Sequence, residues 1–255
     1  MTAAVIIPTT GASTLVQAVD SVLAQTSPTD CYVVADGIQC WQAVKELLGN
    51  KLNANLKISF INENVGGGGF YGHRIYAAFT HLVNTEFLCY LDQDNWLDSD
   101  HVASCIETLS DENLQWCYSL RKIYKNQELV CNDDCESLGK YPTYHGVNHI
   151  DTNAYFLRRE SVLQFASVWH GGWGQDRVFY DVLKNMLPNY DCTGQYTLNY
   201  RVGGNAGSVS ADFFINGNRI MQDRYRGNFP WRKITYLSVD LLAIVRHRLN
   251  PMLKV

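Results

Sequence analysis

The chain of 255 residues carries a formal net charge of −4, and 46% of its residues are hydrophobic and 12% aromatic. This composition excludes a disordered or fibrous protein, and the length suffices for one large domain with or without an appendage. No window offers the roughly 20 uninterrupted apolar residues of a transmembrane helix, and residues 1–4 lead into an apolar run without a basic stretch or cleavage site. We therefore expect a cytoplasmic protein.

Apolar runs and helix-spaced apolar residues alternate through the first hundred residues. The predicted strands are residues 5–7, 31–35, 56–61 and 87–91. The helices predicted between them cover about 15–23, 41–48 and 75–83. This alternation predicts an α/β fold, in which a mostly parallel sheet is flanked by helices and binds ligands beyond the carboxyl ends of its strands.

The order is less regular beyond residue 110. We predict the following elements: a helix at 99–109, a strand near 115–124, a polar loop at 125–150, and helices at about 158–168 and 175–186. Ile234 to Leu249 has the spacing of an amphipathic helix. We place one main domain at 1–210 and a basic amphipathic helical extension at 211–255.

The extension is basic although the chain as a whole is acidic. Residues 206–255 hold eight Lys and Arg against three Asp, a balance of +5, so the other 205 residues carry −9. Such a segment suits phosphates, an anionic glycan or a membrane surface, although a solvated basic helix explains the charge equally well. Nucleic-acid binding is not expected, because no basic stripe is interleaved with aromatic residues.

Eight cysteines are present, and several, including Cys89 and Cys105, lie in apolar runs where a thiol behaves as a small hydrophobic group. We expect free thiols. Cys131 and Cys135 have the spacing of half a zinc site, but no second Cys or His pair stands at ligand spacing, so we do not expect structural zinc.

Two aspartates follow the strand in "FLCYLDQDNW", where Asp92 and Asp94 stand one residue apart. Asp36 ends an earlier strand, so the three carboxylates should meet at one edge of a parallel sheet. Clustered carboxylates repel unless a cation lies between them, and Mg²⁺ or Mn²⁺ takes one or two carboxylates together with phosphate oxygens. Alternatively, Asp92 and Asp94 cap the following helix, and the tripeptide alone leaves both interpretations open.

The longer strings resemble the family-2 glycosyltransferases, enzymes of the GT-A fold. The similar segments are "VIIPTTGASTLVQAVDSVLAQT", "CYVVADG", "NENVGGGGFYGHRIYAA" and "FLCYLDQDNWLDSDHV", in the family's order and spacing. The resemblance covers residues 4–102 and continues weakly to about 210.

The resemblance implies roles for individual residues around a nucleoside-diphosphate sugar. The implied nucleotide contacts are Pro8, Thr9, Asp36 and Arg74, although Arg74 also suits a surface position. Asp94 would ligate Mn²⁺ or Mg²⁺ directly, and Asp92 would contact ribose or the metal. Gly66 begins a run of four glycines that lacks the ending of a phosphate-binding P-loop, so it is either a turn that brings backbone close to the nucleotide or a plain loop.

A general base is needed to deprotonate the acceptor hydroxyl. In "HGGWGQDRVFYDVL" the resemblance points to Asp176 as this base, while Gln175 replaces an acid that is frequent in the family. Asp176 alternatively caps the helix that it begins. Trp173 either stacks on a sugar or belongs to the core.

Two departures from the family pattern concern the nucleotide and the metal. Ala35 precedes Asp36 where the family often has a second aspartate, and the late metal-binding His is missing near Asn205. The candidates for a third ligand are His145, His149 and His170.

The sequence and the resemblance therefore predict a metal-assisted, inverting transferase that moves a sugar from a nucleoside-diphosphate donor to a glycan or lipid-linked acceptor. UDP is the first candidate for the nucleotide of the donor. A sugar nucleotidyltransferase would need a basic glycine-rich loop after the first strand, and residues 9–13 contain no Lys or Arg. A catalytically silent glycan-binding or scaffold module of the same fold is the remaining alternative.

Overall fold

The computed structural model describes residues 2–51, 53–203 and 209–233. The helix predicted from residue 234 onwards, its basic residues Arg246 and Arg248, and Asn205 lie outside the described residues. Within the described part of the chain there are nine strands and seven α-helices.

The strands are β1 (Ala3–Thr9), β2 (Thr29–Asp36), β3 (Leu56–Ile61), β4 (Phe87–Tyr90), β5 (Trp96–Leu97), β6 (Trp116–Lys125), β7 (Glu128–Asn132), β8 (Tyr155–Arg158) and β9 (Tyr190–Arg201). The helices are α1 (Leu15–Leu23), α2 (Ile38–Leu48), α3 (His73–Leu82), α4 (His101–Thr108), α5 (Arg159–Val162), α6 (Gln175–Met186) and α7 (Ala211–Tyr225). Two 3₁₀ segments, Thr152–Ala154 and Leu163–His170, precede β8 and follow α5.

All nine strands belong to one sheet, with the order β3-β2-β1-β4-β8-β6-β9-β5 and with β7 paired to β6. In the N-terminal half, β1 lies between β2 and β4, and all these pairings are parallel. Every residue of β1 is buried, which explains its continuous apolar run. The predicted α/β class, a mostly parallel sheet flanked by helices, is confirmed.

The second half of the sheet is organised around β6. This strand pairs antiparallel with β7 and β8 and parallel with β9. β4 pairs antiparallel with β8, which joins the two halves. The carboxyl ends of β1, β2 and β4 therefore lie next to residues carried by β6 and its neighbours.

Two expectations for the second half were wrong. The predicted loop at 125–150 contains β7, because Asn126 and Gln127 adopt positive φ angles of 48° and 72° and form a two-residue hairpin turn without a glycine. The helix predicted at 158–168 is instead the end of β8, the short α5 and a 3₁₀ segment. β9 was not predicted, whereas α7 lies within the segment predicted as a helical extension.

The segment after residue 210 packs on the main sheet as far as it is described. α7 contacts β6 and β7, and Gly217 lies so close to Cys135 that a Cβ at this glycine would come within 2.7 Å of the sulfur. The buried Trp231 donates its indole N–H to Asp134 over 2.8 Å. The domain boundary proposed at residue 210 stays a prediction.

All eight cysteines are free, and all except Cys131 are buried. Burial raises the pKa of Cys192 to about 11, so this thiol stays protonated at neutral pH. Among the helices of the described ranges, none combines the length and apolar character needed to cross a bilayer.

Candidate active site

A cavity of about 680 Å³ opens at the carboxyl ends of the parallel strands. Seven of the eight predicted site residues line it: Pro8, Thr9, Asp36, Gly66, Asp92, Asp94 and Asp176. Residues separated by more than 160 positions in the chain therefore share one enclosure, as the parallel-sheet argument predicts.

Asp36 at the end of β2 organises the loop that carries the glycines. Its two carboxylate oxygens accept hydrogen bonds from the backbone N–H groups of Val65 (2.7 Å) and Gly66 (2.9 Å). A Cβ at Gly66 would lie 2.1 Å from the carbonyl oxygen of Tyr71 and 2.5 Å from Oδ2 of Asp36. Glycine is required here for space, because this loop passes directly over the Asp36 carboxylate.

The end of β1 is joined to the Asp-Gln-Asp segment through the middle residue of that segment. Oε1 of Gln93 accepts hydrogen bonds from the Thr9 hydroxyl (2.6 Å) and from the backbone N–H of Thr10 (3.1 Å). Gln93 was not singled out from the sequence, yet its amide holds the two flanking aspartates in position relative to β1.

Asp92 is held by two side chains. Its Oδ1 accepts the hydroxyl of Tyr76 (2.7 Å), and its Oδ2 accepts the amide of Asn153 (2.9 Å). Withdrawal from water raises the pKa of Asp92, and the two hydrogen bonds partly oppose that rise. Asp92 is thus oriented by neighbours that sequence reasoning missed.

Asp94 has a different environment, since no other described residue donates a hydrogen bond to its carboxylate. Burial, with a further contribution from the charge of Asp92, raises the pKa of Asp94 to about 6. Arg201 approaches only the backbone, where its Nε donates to the Asp94 carbonyl over 3.0 Å. An acidic oxygen pair without a protein donor is suited to a cation.

The helix-capping alternative for these two aspartates does not hold. The next helix, α4, has Asp100 at its N-cap, and the side chain of Asp100 makes no capping hydrogen bond. Asp92 and Asp94 instead belong to the cavity wall.

Arg74 is the predicted site residue that does not line the cavity. Its guanidinium donates weakly to the carbonyl of Val65 (3.4 Å) and lies 3.5 Å from the ring centre of Phe70. Arg74 supports the outer side of the glycine loop, and its contact with a donor stays a prediction.

Asp176 lies in the first turn of α6, after Gly174, whose φ of +80° permits the tight approach to the helix. Its Oδ1 accepts the backbone N–H of Arg177 (2.8 Å), so part of the capping alternative holds. Its Oδ2 lies 3.6 Å from Nε2 of His149. Burial is the largest cause of a raised pKa at Asp176, which favours a carboxylate able to take a proton.

Trp173 lies at the mouth of the cavity and is 77% exposed, so of the two alternatives the core position is wrong. The guanidinium of Arg177 lies 5.4 Å from its ring centre, and both residues line the cavity. An exposed indole at this position offers a flat apolar surface for a sugar ring.

The inner wall holds a charged cluster that the sequence did not predict. The buried Arg121 of β6 donates to Asp133 (2.7 Å), to Asp151 (2.6 Å) and to Glu136. His149 lies beside Glu136, with Nε2 3.7 Å from Oε1. An arginine inside an apolar strand was the available signal, because a buried guanidinium requires acidic partners.

Negative charge predominates in the cavity lining. The acidic side chains are Asp36, Asp92, Asp94, Glu136, Asp151 and Asp176, and the arginines are Arg121, Arg177 and Arg201. Six carboxylates against three guanidinium groups leave an anionic substrate poorly compensated unless a cation accompanies it.

The third metal ligand was left open among three histidines. His149 lines the cavity but lies next to Asp176 and Glu136, whereas His145 and His170 are not part of the lining. In the ranges that the structure describes, no three His, Cys, Asp or Glu side chains are grouped so as to hold a metal. Among the described residues, a cation at Asp94 would therefore have at most Asp92 as a second ligand of these types, and its remaining ligands would come from elsewhere, such as substrate or water.

The sequence model of glycosyl transferase family 2 matches residues 4–163, more than half of the chain. No curated protein matches the sequence.

Among solved structures, S. aureus TarS 1-349 in complex with UDP is similar, with a TM-score of 0.60 and 17% identity over 89% of this chain and 66% of that chain. The structure of its complex with UDP-GlcNAc has a TM-score of 0.60 and 16% identity over 89% of this chain and 67% of that chain. The mannosyltransferase PcManGT from Pyrobaculum calidifontis, in complex with GDP-Man and Mn²⁺, has a TM-score of 0.55 and 14% identity over 80% of this chain and 58% of that chain. These likenesses show a shared fold, and the chain spans about two thirds or less of the length of these structures.

Proposed function

The chain belongs to glycosyltransferase family 2, and from this membership we propose that it is a metal-assisted, inverting transferase for a nucleoside-diphosphate sugar. The observation that carries the proposal is that Asp92, Asp94 and Asp176 line one cavity. The strand ends predicted to bind the nucleotide line the same cavity. A silent glycan-binding module is less well supported, because holding these carboxylates together without a ligand is unfavourable.

We assign the donor to the side of the cavity formed by Pro8, Thr9, Asp36 and the loop at Gly66. UDP is the first candidate for its nucleotide, because two similar structures contain UDP or UDP-GlcNAc. A third contains GDP-Man, so guanosine is the second candidate.

The residues present fit a divalent cation at the Asp94 carboxylate, which receives no hydrogen bond from another described residue. Asp92, fixed by Tyr76 and Asn153, would orient ribose or complete the metal contact. When bound, Mn²⁺ or Mg²⁺ would offset the negative charge of the diphosphate as it leaves. One or two carboxylates with phosphate oxygens are the usual Mg²⁺ ligand set.

Asp176 is assigned as the general base. It takes the proton of the acceptor hydroxyl, and the oxygen attacks the sugar carbon from the face opposite the departing diphosphate. A single base with no evident protein nucleophile supports direct displacement, which inverts the configuration at that carbon.

The acceptor is proposed to be a glycan or a lipid-linked sugar that stacks on Trp173. This indole is exposed at the cavity mouth, and Asp176 follows it three residues later on the same wall. The basic excess after residue 206 supports peripheral contact with an anionic membrane. Changing Arg246 and Arg248 to Glu should then reduce vesicle binding at low salt, and unchanged binding would contradict this contact.

Calorimetric titration with UDP, GDP and dTDP, each with and without Mn²⁺, tests the proposed function. We expect one nucleotide to bind in a Mn²⁺-dependent manner and the Asp94→Ala variant to lose that dependence. Asp100→Ala is the matched control, because Asp100 is an exposed aspartate six residues later in the chain, makes no capping hydrogen bond and lies outside the cavity.

Binding of no nucleotide by the wild-type protein would reject the transferase proposal. Tight binding without donor hydrolysis or sugar transfer to any acceptor would favour the silent module.

A further inference from the structure

His149 lies behind the carboxylate of Asp176 and is 5% exposed. Its Nε2 is nearly equidistant from two carboxylate oxygens, 3.6 Å from Oδ2 of Asp176 and 3.7 Å from Oε1 of Glu136. The other ring nitrogen, Nδ1, is buried and has no hydrogen-bond partner among the described residues. A proton on Nδ1 would be an unsatisfied buried donor, whereas a proton on Nε2 faces two acceptors. The surroundings therefore select the Nε2–H tautomer.

Charged groups of both signs face this imidazole. They are Asp176 and Arg177 from α6, Glu136 and Asp151 from the connection between β7 and β8, and Arg121 from β6. Burial is the largest influence and lowers the pKa of His149, while the charge of Asp176 opposes that change. An imidazole with a lowered pKa is neutral at pH 7, so His149 has one N–H to offer to the two acids.

Glu136 is fixed by a contact on its other side. Its Oε2 accepts from Arg121, which is itself held by Asp133 and Asp151. Oε1 of Glu136 is thus left facing His149 as a second acceptor for the same N–H.

We propose that His149 is a positioning residue for Asp176, an inference that rests on the proposed function. The Nε2–H of His149 donates to the ionised Asp176 carboxylate and orients it toward the acceptor hydroxyl. After Asp176 has taken the hydroxyl proton, the same N–H is donated to Glu136. The imidazole keeps its proton throughout, and the acceptor oxygen uses its electron pair for the new bond to the sugar.

The separations of 3.6 and 3.7 Å suit this exchange. Neither separation is short enough for a hydrogen bond, and a small movement toward either acid would complete one. Catalytic hydrogen bonds are often long before substrate binds and shorten in the complex.

The test compares two substitutions at one position. His149→Gln keeps a side-chain N–H, and His149→Leu removes it. Loss of the side-chain N–H in the Leu variant should shift the acidic limb of the pH–rate profile for sugar transfer to higher pH by about one unit. A hydrogen bond to the ionised form lowers a carboxyl pKa, so its removal raises the pKa of Asp176. The Gln variant should keep the wild-type limb. His145→Leu is the matched control, because His145 is exposed and does not line the cavity.

A second measurement does not depend on turnover. Imidazole ¹⁵N chemical shifts of the wild-type protein should show a neutral His149 with the proton on Nε2 at pH 7. In Asp176→Asn the pKa of His149 should fall further, because the negative charge that raises it has been removed.

The results separate the two proposals. A wild-type protein without sugar transfer would reject the proposed function, and the NMR data would still report the His149 contact. An Nδ1–H tautomer, an imidazolium at pH 7 or an unchanged pKa in Asp176→Asn would overturn the role of His149. A Leu variant that folds and is slower at every pH, with the wild-type acidic limb, would also overturn it.

Discussion

The substitution Tyr76→Phe removes a single oxygen atom from the wall of the cavity. Its hydroxyl donates to Oδ1 of Asp92 over 2.7 Å, while the buried ring packs against Tyr90, with 4.7 Å between ring centres. A hydrogen bond to a charged group contributes about 1.5–3 kcal/mol, so we expect the free energy of unfolding to fall by about 2 kcal/mol. The ring contacts remain, so no cavity forms.

The same change should weaken donor binding, because Asp92 keeps only Asn153 as a side-chain donor. A loss of about 1 kcal/mol in the orientation of Asp92 corresponds to about fivefold in nucleotide affinity. Urea unfolding measures the first effect, and calorimetry with nucleotide and Mn²⁺ measures the second.

Tyr90→Phe provides the matched control. The hydroxyl of Tyr90 shares a 2.9 Å hydrogen bond with Thr80, a neutral partner, in the same buried aromatic cluster. We expect a stability loss of about 1 kcal/mol and no change in nucleotide affinity. Equal stability losses in the two variants, together with unchanged affinity in Tyr76→Phe, would refute the view that Tyr76 orients Asp92.

Three further predictions concern the base, the glycine loop and a buried histidine. Asp176→Asn should keep donor binding and lower the rate of sugar transfer by about 10²–10⁴-fold. In the wild type, the rate of transfer should fall as the pH decreases. The midpoint of this fall should lie above the ordinary pKa range of an aspartate, because the pKa of Asp176 is raised. Transfer rates measured across pH check both. Gly66→Ala should reduce nucleotide affinity, because the new Cβ would lie 2.1 Å from the Tyr71 carbonyl oxygen, whereas Gly67→Ala meets only the movable end of a side chain and should bind normally in calorimetry. The pKa of the buried His101 is lowered from 6.5 to about 4. The unfolded chain therefore binds the proton first, and stability should fall by about 2 kcal/mol between pH 7.5 and pH 5. His101→Asn should lack this part of the pH dependence of urea unfolding.

The first half of the fold could be predicted because its central strands β1 and β4 are buried at every residue. β1 and β4 are continuous apolar runs followed by polar residues, which is the expected pattern of central parallel strands. β9 gave no such signal, because Gly194, with a φ of +73°, interrupts its pattern where the pairing with β6 shifts register. Its partner lies more than 60 residues earlier, so local periodicity could not identify it.

The residues of the site likewise fall into a group that could be predicted from the sequence and a group that could not. Asp36, Asp92 and Asp94 were predictable because they end strands that lie side by side. Arg121 and His149 were not, because one lies within a strand and the other in a connection, and only the three-dimensional structure brings them together.

The pairing of β6 with both earlier and later strands has a consequence for biosynthesis. Parallel pairing with β9 requires the chain to have been synthesised as far as Arg201, since Tyr124 is the partner of that residue. β1, β2 and β3 pair within the first 61 residues, so the nucleotide side of the cavity can assemble early. The part of the sheet that contains β9 is completed later, so a chain that ends before Arg201 lacks one wall of the cavity.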